Sequence, residues 1–116
     1  MHSNSDERYR STYDCTINIL SKNGIDFYFT EVGSSYTRLT RRGAISCIGF
    51  YFNNELYYIY FNTSYNPFAH RMEFSSVSII SADNLRLHKN ILEKKWHITN
   101  PNELYKFRDE FADVFM

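Results

Sequence analysis

Hydrophobic and polar residues alternate most regularly in the middle of the chain, between residues 44 and 62. Two β-prone runs there are joined by Asn53-Asn54, a pair that tolerates the positive φ of a two-residue hairpin turn. Such a turn fixes the register and places Gly49 opposite Tyr58, which predicts either a β-bulge or an aromatic ring lying over the glycine. The predicted pairs are Phe52–Glu55, Tyr51–Leu56, Phe50–Tyr57, Gly49–Tyr58 and Ile48–Ile59.

Side chains of this hairpin alternate between the two faces of the sheet. One face is the more apolar and is expected to meet the helices, whereas the other is rich in tyrosine, whose hydroxyl groups can remain in water. A lone hairpin is only marginally stable in water, so further strands must join it. The apolar face carries Ile48, Phe50, Phe52, Tyr57, Ile59 and Phe61, and the other face carries Cys47, Tyr51, Leu56, Tyr58 and Tyr60.

Three- and four-residue spacing of apolar side chains predicts three helices. The first covers residues 5–23, with Ser5 as its cap and Gly24 as a left-handed stop. The second covers residues 82–95 and is followed by a short connector at residues 96–98.

The last helix has the clearest start in the chain. Asn100 can cap it, Pro101 suits the first helical position and Glu103 completes a capping box. Its buried stripe is predicted to contain Leu104, Phe107, Phe111, Val114 and Phe115.

Three further strands are predicted at residues 25–32, 36–42 and 70–80, with a loop at residues 63–69. The last of these strands changes phase in its middle, which predicts a β-bulge at Ser75-Ser76. The chain is therefore expected to form a single α+β domain over residues 1–116, with a frayed start at residues 1–4. Its two layers are an antiparallel meander of about five strands, and the N-terminal helix with two C-terminal helices packed on one face.

Composition narrows the function classes. The chain has 13 basic and 13 acidic residues, and zero net charge argues against a dedicated binder of duplex nucleic acid. Its two cysteines, Cys15 and Cys47, lack metal-site spacing, so neither a metal nor another cofactor is expected, although the sequence leaves a disulfide open. The polar start and the lack of an apolar run near about 20 residues predict a cytoplasmic protein with reduced thiols and no membrane partner.

Histidines are the candidate acid–base groups. A metal-independent ribonuclease can use two imidazoles and a lysine, and His70 with His97 and either Lys94 or Lys95 is the set to test. Four histidines without a local pattern are more often surface or structural residues, so the sequence favours a protein that is not an enzyme.

Tyrosine and arginine, the residues that anchor protein interfaces, are concentrated on the predicted sheet and its edge. The same combination of rings and cations can stack single-stranded RNA or DNA, which is the second interpretation. The candidate partner-binding residues are Tyr51, Tyr58 and Tyr60, with Arg38, Arg41 and Arg42 at the edge, and Glu103, Asp109, Glu110 and Asp113 on the last helix.

In small size, interface-type composition and lack of a catalytic motif, the whole chain resembles the immunity proteins with which bacteria neutralise toxic nucleases. This resemblance is one of general character. It implies an inhibitor whose preformed surface occludes the active site of a toxin or another enzyme, and a basic nuclease site would favour the acidic side of the last helix. A homodimer is left open.

Overall fold

The computed structural model describes residues 5–30, 47–82 and 94–116. Within these residues, two helices accompany five strands that form one sheet in the order β1-β2-β3-β4-β5. Consecutive strands pair antiparallel, as predicted for a meander in an α+β fold. The helices are α1 (Ser5–Lys22) and α2 (Pro101–Val114), and the strands are β1 (Phe27–Thr30), β2 (Cys47–Phe52), β3 (Glu55–Asn66), β4 (Arg71–Ser81) and β5 (Lys94–His97).

The central hairpin has the predicted register. Asn53 and Asn54 both adopt positive φ, 52° and 65°, as the mirror-image turn that suits the twist of a two-residue hairpin requires. Every predicted pair is present, including Gly49 opposite Tyr58. The apolar side is accordingly buried, with Ile48, Phe50, Tyr57, Ile59 and Phe61 in the core.

The β-bulge predicted in β4 is also confirmed. Asn62 of β3 faces Ser76, whereas the next residue, Thr63, faces Phe74. Ser75 is therefore the extra residue of the bulge. Its insertion returns the apolar residues on both sides of it to the same buried face, namely Phe74, Val77 and Ile79.

Both helices pack against the apolar face of the sheet. Tyr9 of α1 lies edge-on to Phe61 of β3, with ring centroids 5.4 Å apart, and Phe111 of α2 lies edge-on to Phe50 of β2 at 6.1 Å. Burial of each such side chain stabilises the fold by roughly 1.5–3 kcal/mol. The fully buried side chains are Leu20, Ile48, Phe50, Ile59, Phe61, Phe74, Val77, Ile79, Ile98, Phe107 and Phe111.

Two helix ends follow the sequence signals. Gly24 adopts a φ of 67°, and the N–H of Ile25 donates to the carbonyl oxygen of Leu20 at 3.0 Å, as in a Schellman motif. At the start of α2, Asn100 Oδ1 accepts a hydrogen bond from the N–H of Glu103 at 3.1 Å. Phe107 and Phe111 are buried, and Leu104, Val114 and Phe115 pack against the core as predicted.

Side chains in the first turns of α1 bind the sheet. Ser5, predicted as the helix cap, is the first residue of α1, and its Oγ accepts a hydrogen bond from the N–H of Phe74 at 2.8 Å. Arg8 donates from Nη2 to the carbonyl oxygen of Phe74 and from Nε to that of Ile98, at 3.0 and 3.1 Å. These bonds satisfy the N–H and carbonyl groups of Phe74 in β4 and the carbonyl group of Ile98, which follows β5.

Two predicted element boundaries were wrong. The loop predicted at residues 63–69 begins later, because β3 continues to Asn66 and pairs with β4 beyond the bulge. Lys94 and Lys95, predicted to end a helix, begin β5, and the connector predicted at residues 96–98 includes the end of that strand. Pairing with β4 places Trp96 opposite Val77, and this non-local contact overrides the local helical pattern.

Several predictions lie outside the described residues. They are the frayed start at residues 1–4, the strand at residues 36–42 and most of the helix predicted at residues 82–95. In the part of the chain that is described, the sheet reaches five strands through β5, which was not predicted as a strand. Neither α1 nor α2 is long and apolar enough to cross a membrane.

Candidate functional site

Four tyrosines lie next to each other on the side of the sheet opposite the helices, and we call Tyr28, Tyr51, Tyr58 and Tyr60 the tyrosine cluster. Tyr28 comes from β1, Tyr51 from β2 and the other two from β3. The ring centroids of Tyr28 and Tyr51 are 6.2 Å apart, and those of Tyr58 and Tyr60 are 6.1 Å apart. The hydroxyl groups of Tyr28 and Tyr58 share a hydrogen bond that joins the two pairs.

The cluster is built over Gly49. This residue pairs with Tyr28 on one side and with Tyr58 on the other, and a Cβ at position 49 would lie 2.5 Å from Tyr28 Cζ. The ring of Tyr28 therefore occupies the space that any side chain at this position would need. An aromatic ring lies over the glycine, as one of the two predicted alternatives requires, but it belongs to Tyr28 of β1 and not to Tyr58, the residue from which the prediction was made.

Two of the four rings reach the surface. Tyr51 and Tyr28 are exposed, whereas Tyr58 and Tyr60 are half-buried. Beneath them lies Cys47, which is fully buried. The cluster therefore offers an outer aromatic pair on a packed base.

Tyr28 and Tyr60 of the tyrosine cluster are uncharged near neutral pH. The hydrogen bond to Tyr58, with burial, raises the pKa of Tyr28 to about 12, and burial raises the pKa of Tyr60. Burial likewise raises the pKa of the Cys47 thiol to about 12, so this thiol is a poor nucleophile. The site offers aromatic surface and neutral hydroxyl groups.

The acidic residues predicted on α2 are present but partly compensated. Asp109 Oδ1 lies 3.0 Å from Arg108 Nε, and Glu110 Oε1 lies 3.9 Å from Lys94 Nζ. Glu103 and Glu110 are half-buried, and Asp109 and Asp113 are exposed. Such exposed pairs add little stability, but they reduce the negative field of this helix. The other predicted candidates, Arg38, Arg41 and Arg42, lie outside the described residues.

The histidines proposed for catalysis are not brought together. His97 lies in β5 opposite Ser76 of β4, and His70 precedes β4 with a φ of 52°. Five residues lie between His70 and Ser76 in the sequence, which places the two imidazoles roughly 15–20 Å apart at about 3.3 Å per residue. Direct acid–base cooperation requires a substrate within hydrogen-bond reach of both, and this separation is too large for that.

A groove of about 700 Å³ runs between α1 and α2. Asp14, Lys22, Arg108 and Asp109 give it mixed charge, and Cys15 lies on its wall as a free thiol. Burial raises the pKa of Cys15, which keeps its thiol protonated and unreactive near neutral pH. Cys47 is also a free thiol and lies on the opposite side of the sheet.

Sequence reasoning missed one member of the cluster and a second exposed surface. Tyr28 shares a strand face with Asp26 and Thr30, and pairing that strand with β2 would have placed it over Gly49. The other surface lies at the end of the β3–β4 hairpin, where a loop was predicted. Comparisons with protein-family models, with curated proteins and with solved structures found no match.

Proposed function

We propose that this chain is a small cytoplasmic inhibitor that binds a toxin or another enzyme and covers its active site with the tyrosine cluster. The observation that carries the proposal is the adjacency of four tyrosines on the side of the sheet away from both helices. Tyrosine provides a large amphipathic contact area at low cost in side-chain entropy, which is why interfaces are enriched in it.

The cluster is held in place before any partner arrives. Tyr28 fills the space over Gly49, and its hydroxyl is tied to Tyr58. A side chain that is already ordered loses less entropy when it is buried by a partner. Preorganisation of this kind favours the interpretation of the cluster as a binding surface over its interpretation as a solvated sheet face with freely moving rings.

The tyrosine cluster is supported better than the acidic side of α2. Asp109 and Glu110 each have a basic neighbour, so the helix offers less negative charge than its sequence suggests. Electrostatic steering toward a basic site depends on uncompensated charge. The partner surface that meets the cluster is therefore expected to combine apolar groups with uncharged polar groups. A strongly basic nuclease site is a less favoured partner than such a surface.

The second candidate function is binding of single-stranded RNA or DNA. The exposed Tyr28–Tyr51 pair can stack bases, and Lys95 and His97 lie at register positions on the same face of the sheet, opposite Ser78 and Ser76. Such binding would be strongly weakened by salt, because each phosphate contact releases counterions.

Purification from the native cells discriminates the two candidates. The tagged chain is isolated with and without nuclease treatment, and the bound material is identified. One stoichiometric protein that resists nuclease, and whose enzymatic activity falls when the chain is added, supports the inhibitor. The product of the neighbouring open reading frame is the first protein to test, since an immunity gene is expected beside its toxin gene. Nuclease-sensitive material and salt-sensitive oligonucleotide binding would instead support the second candidate.

A further inference from the structure

The end of the β3–β4 hairpin extends past the bulge as an arm, residues 63–73, that carries a second apolar surface. Phe68 at its tip is 95% exposed, and Tyr65 and Met72 are also exposed. Tyr65 and Met72 are cross-strand partners, so their side chains lie on one face, the same face as buried Phe74. Phe68, Tyr65 and Met72 are the exposed large apolar side chains of the arm, and we call these three the arm tip.

Hydrogen bonds order the backbone of the turn that carries Phe68. Asn66 Oδ1 accepts from the N–H groups of Phe68 and Ala69, at 2.9 and 3.3 Å, and Asn66 Nδ2 donates to Glu73 Oε1 at 2.7 Å. Arg71 donates from Nε and Nη2 to Glu73 Oε2. The hydrogen bond from Asn66, aided by Arg71, lowers the pKa of Glu73, so the network is intact at neutral pH.

The base of the arm is fixed as firmly as its tip. Phe74, the first residue beyond the arm, is buried against the rings of Tyr9 and Phe61. Its N–H and carbonyl groups are bound by Ser5 and Arg8 of α1. Because the backbone that carries Phe68 is already ordered, binding of this residue costs less backbone entropy than binding of a phenylalanine on a flexible loop.

The size of the arm tip decides what can cover it. A fully exposed aromatic side chain offers roughly 150–250 Å², so Phe68, Tyr65 and Met72 together present on the order of 400 Å². A stable dimer buries about 800 Å² on each partner. A second copy meeting the chain tip to tip therefore has too little contact area, whereas a cleft that surrounds the tip contacts the sides of the arm as well.

The charge of the arm narrows the partner further. Arg71 is neutralised by Glu73 at 3.0 Å, and the described arm residues include no other lysine, arginine or acid. An anionic lipid surface or a nucleic acid would require a basic excess. We propose that the arm tip inserts into an apolar, uncharged cleft on a partner protein, with Phe68 as the central anchor. This surface is separate from the tyrosine cluster, which faces the opposite side of the sheet.

Site-specific photo-cross-linking tests the proposal. The full chain carries p-benzoyl-phenylalanine at position 68, is irradiated in an extract of its native cells, and the cross-linked peptide is sequenced. The captured protein is then purified and its affinity for the unmodified chain measured. Phe68→Ala is expected to weaken binding about 30-fold or more, as loss of an interface anchor does. Asn66→Ala, which keeps Phe68 but frees the turn, is expected to weaken it roughly fivefold to tenfold.

Controls separate this outcome from the others. Ser64→Ala, on the opposite face of the arm, should leave the affinity unchanged, and Phe68→Ala should leave thermal unfolding unchanged because Phe68 is exposed. The proposal is overturned by a cross-link to a second copy of the chain, by Phe68-dependent binding to phosphatidylcholine–phosphatidylglycerol vesicles, or by cross-linking to no single protein. Equal affinities of the wild type and Phe68→Ala would also overturn it. Tyr51→Ala tests the tyrosine cluster separately, so either proposal can fail alone.

Discussion

The ring of Tyr28 lies over Gly49 so closely that a methyl group on the glycine would stand 2.5 Å from Tyr28 Cζ. The absence of a side chain on β2 is thus what allows the ring on β1 to reach Tyr58 on β3. The tyrosine cluster depends on this contact, because it links the tyrosines of three strands.

Gly49→Ala should therefore displace the Tyr28 ring and destabilise the protein by about 1–3 kcal/mol, the usual cost of overpacking. In a Tyr28→Ala background the same change should cost nothing or stabilise the strand by roughly 0.5–1 kcal/mol, as alanine does relative to glycine. Denaturant unfolding of the wild type, the two single variants and the double variant measures the coupling free energy between positions 28 and 49. An equal cost of Gly49→Ala in both backgrounds would show that the ring does not fill this space.

The pKa of Tyr28 makes stability sensitive to alkaline pH. Its folded value of about 12 lies above the ordinary value of 10.0, so the folded state holds the proton more tightly than the unfolded state. The resulting stabilisation is complete below about pH 10 and is lost as the pH rises toward 12. Tyr28→Phe should flatten the fall of unfolding free energy above pH 10. Identical alkaline profiles for the wild type and Tyr28→Phe would contradict this assignment.

The central turn depends on two asparagines with positive φ. Asn54→Gly should be neutral or stabilising, because glycine adopts this conformation without steric cost. Asn54→Val should destabilise the protein by roughly 1–2 kcal/mol, because a β-branched side chain is strongly disfavoured in the left-handed region that asparagine tolerates. Midpoints of thermal unfolding check this order. The Asn54→Gly variant should unfold at the same temperature as the wild type or higher, and both should unfold above Asn54→Val. A valine variant as stable as the wild type would mean that another turn replaces this one.

Arg8 ties α1 to the sheet by donating to the carbonyl oxygens of Phe74 and Ile98. Arg8→Met keeps most of the apolar stem and removes both donors, and we expect a loss of about 1–3 kcal/mol in unfolding free energy. Arg10→Met, at an exposed position of the same helix, is the matched control and should change stability little. Amide hydrogen exchange at residues 71–76 should become faster in Arg8→Met and stay unchanged in Arg10→Met. Unchanged exchange in Arg8→Met would contradict the role of Arg8 in holding α1 to the sheet.

Sequence reasoning succeeded where structure is decided locally. The register of the central hairpin follows from Asn53-Asn54 and strict alternation, and the bulge at Ser75 follows from a phase change within one strand. Helix α2 was located by its cap at Asn100. In each case, neighbouring residues in the chain carry the whole signal.

Sequence reasoning failed where pairing between residues that are distant in the chain determines the local structure. Lys94 and Lys95 are predicted to end a helix and Trp96 and His97 to lie in a connector, yet these four residues form a strand because β4 offers a partner edge. The polar run after Asn62 was assigned to a loop, so the exposed arm and Phe68 were missed. Three of the four tyrosines in the cluster were predicted from the sequence. Tyr28 was missed because only the pairing of β1 with β2 brings it into the cluster.

The proposed inhibitor role is tested most directly by the affinity of two tyrosine variants for the protein that co-purifies with the chain. Tyr51 in the cluster and Tyr105 on α2 are equally exposed, at 51% and 50%, so removal of either ring deletes a similar surface. Tyr51→Ala should weaken binding about tenfold or more, as loss of an interface aromatic does, whereas Tyr105→Ala should bind like the wild type. Equal affinities of the two variants, or loss of binding in Tyr105→Ala alone, would contradict the account.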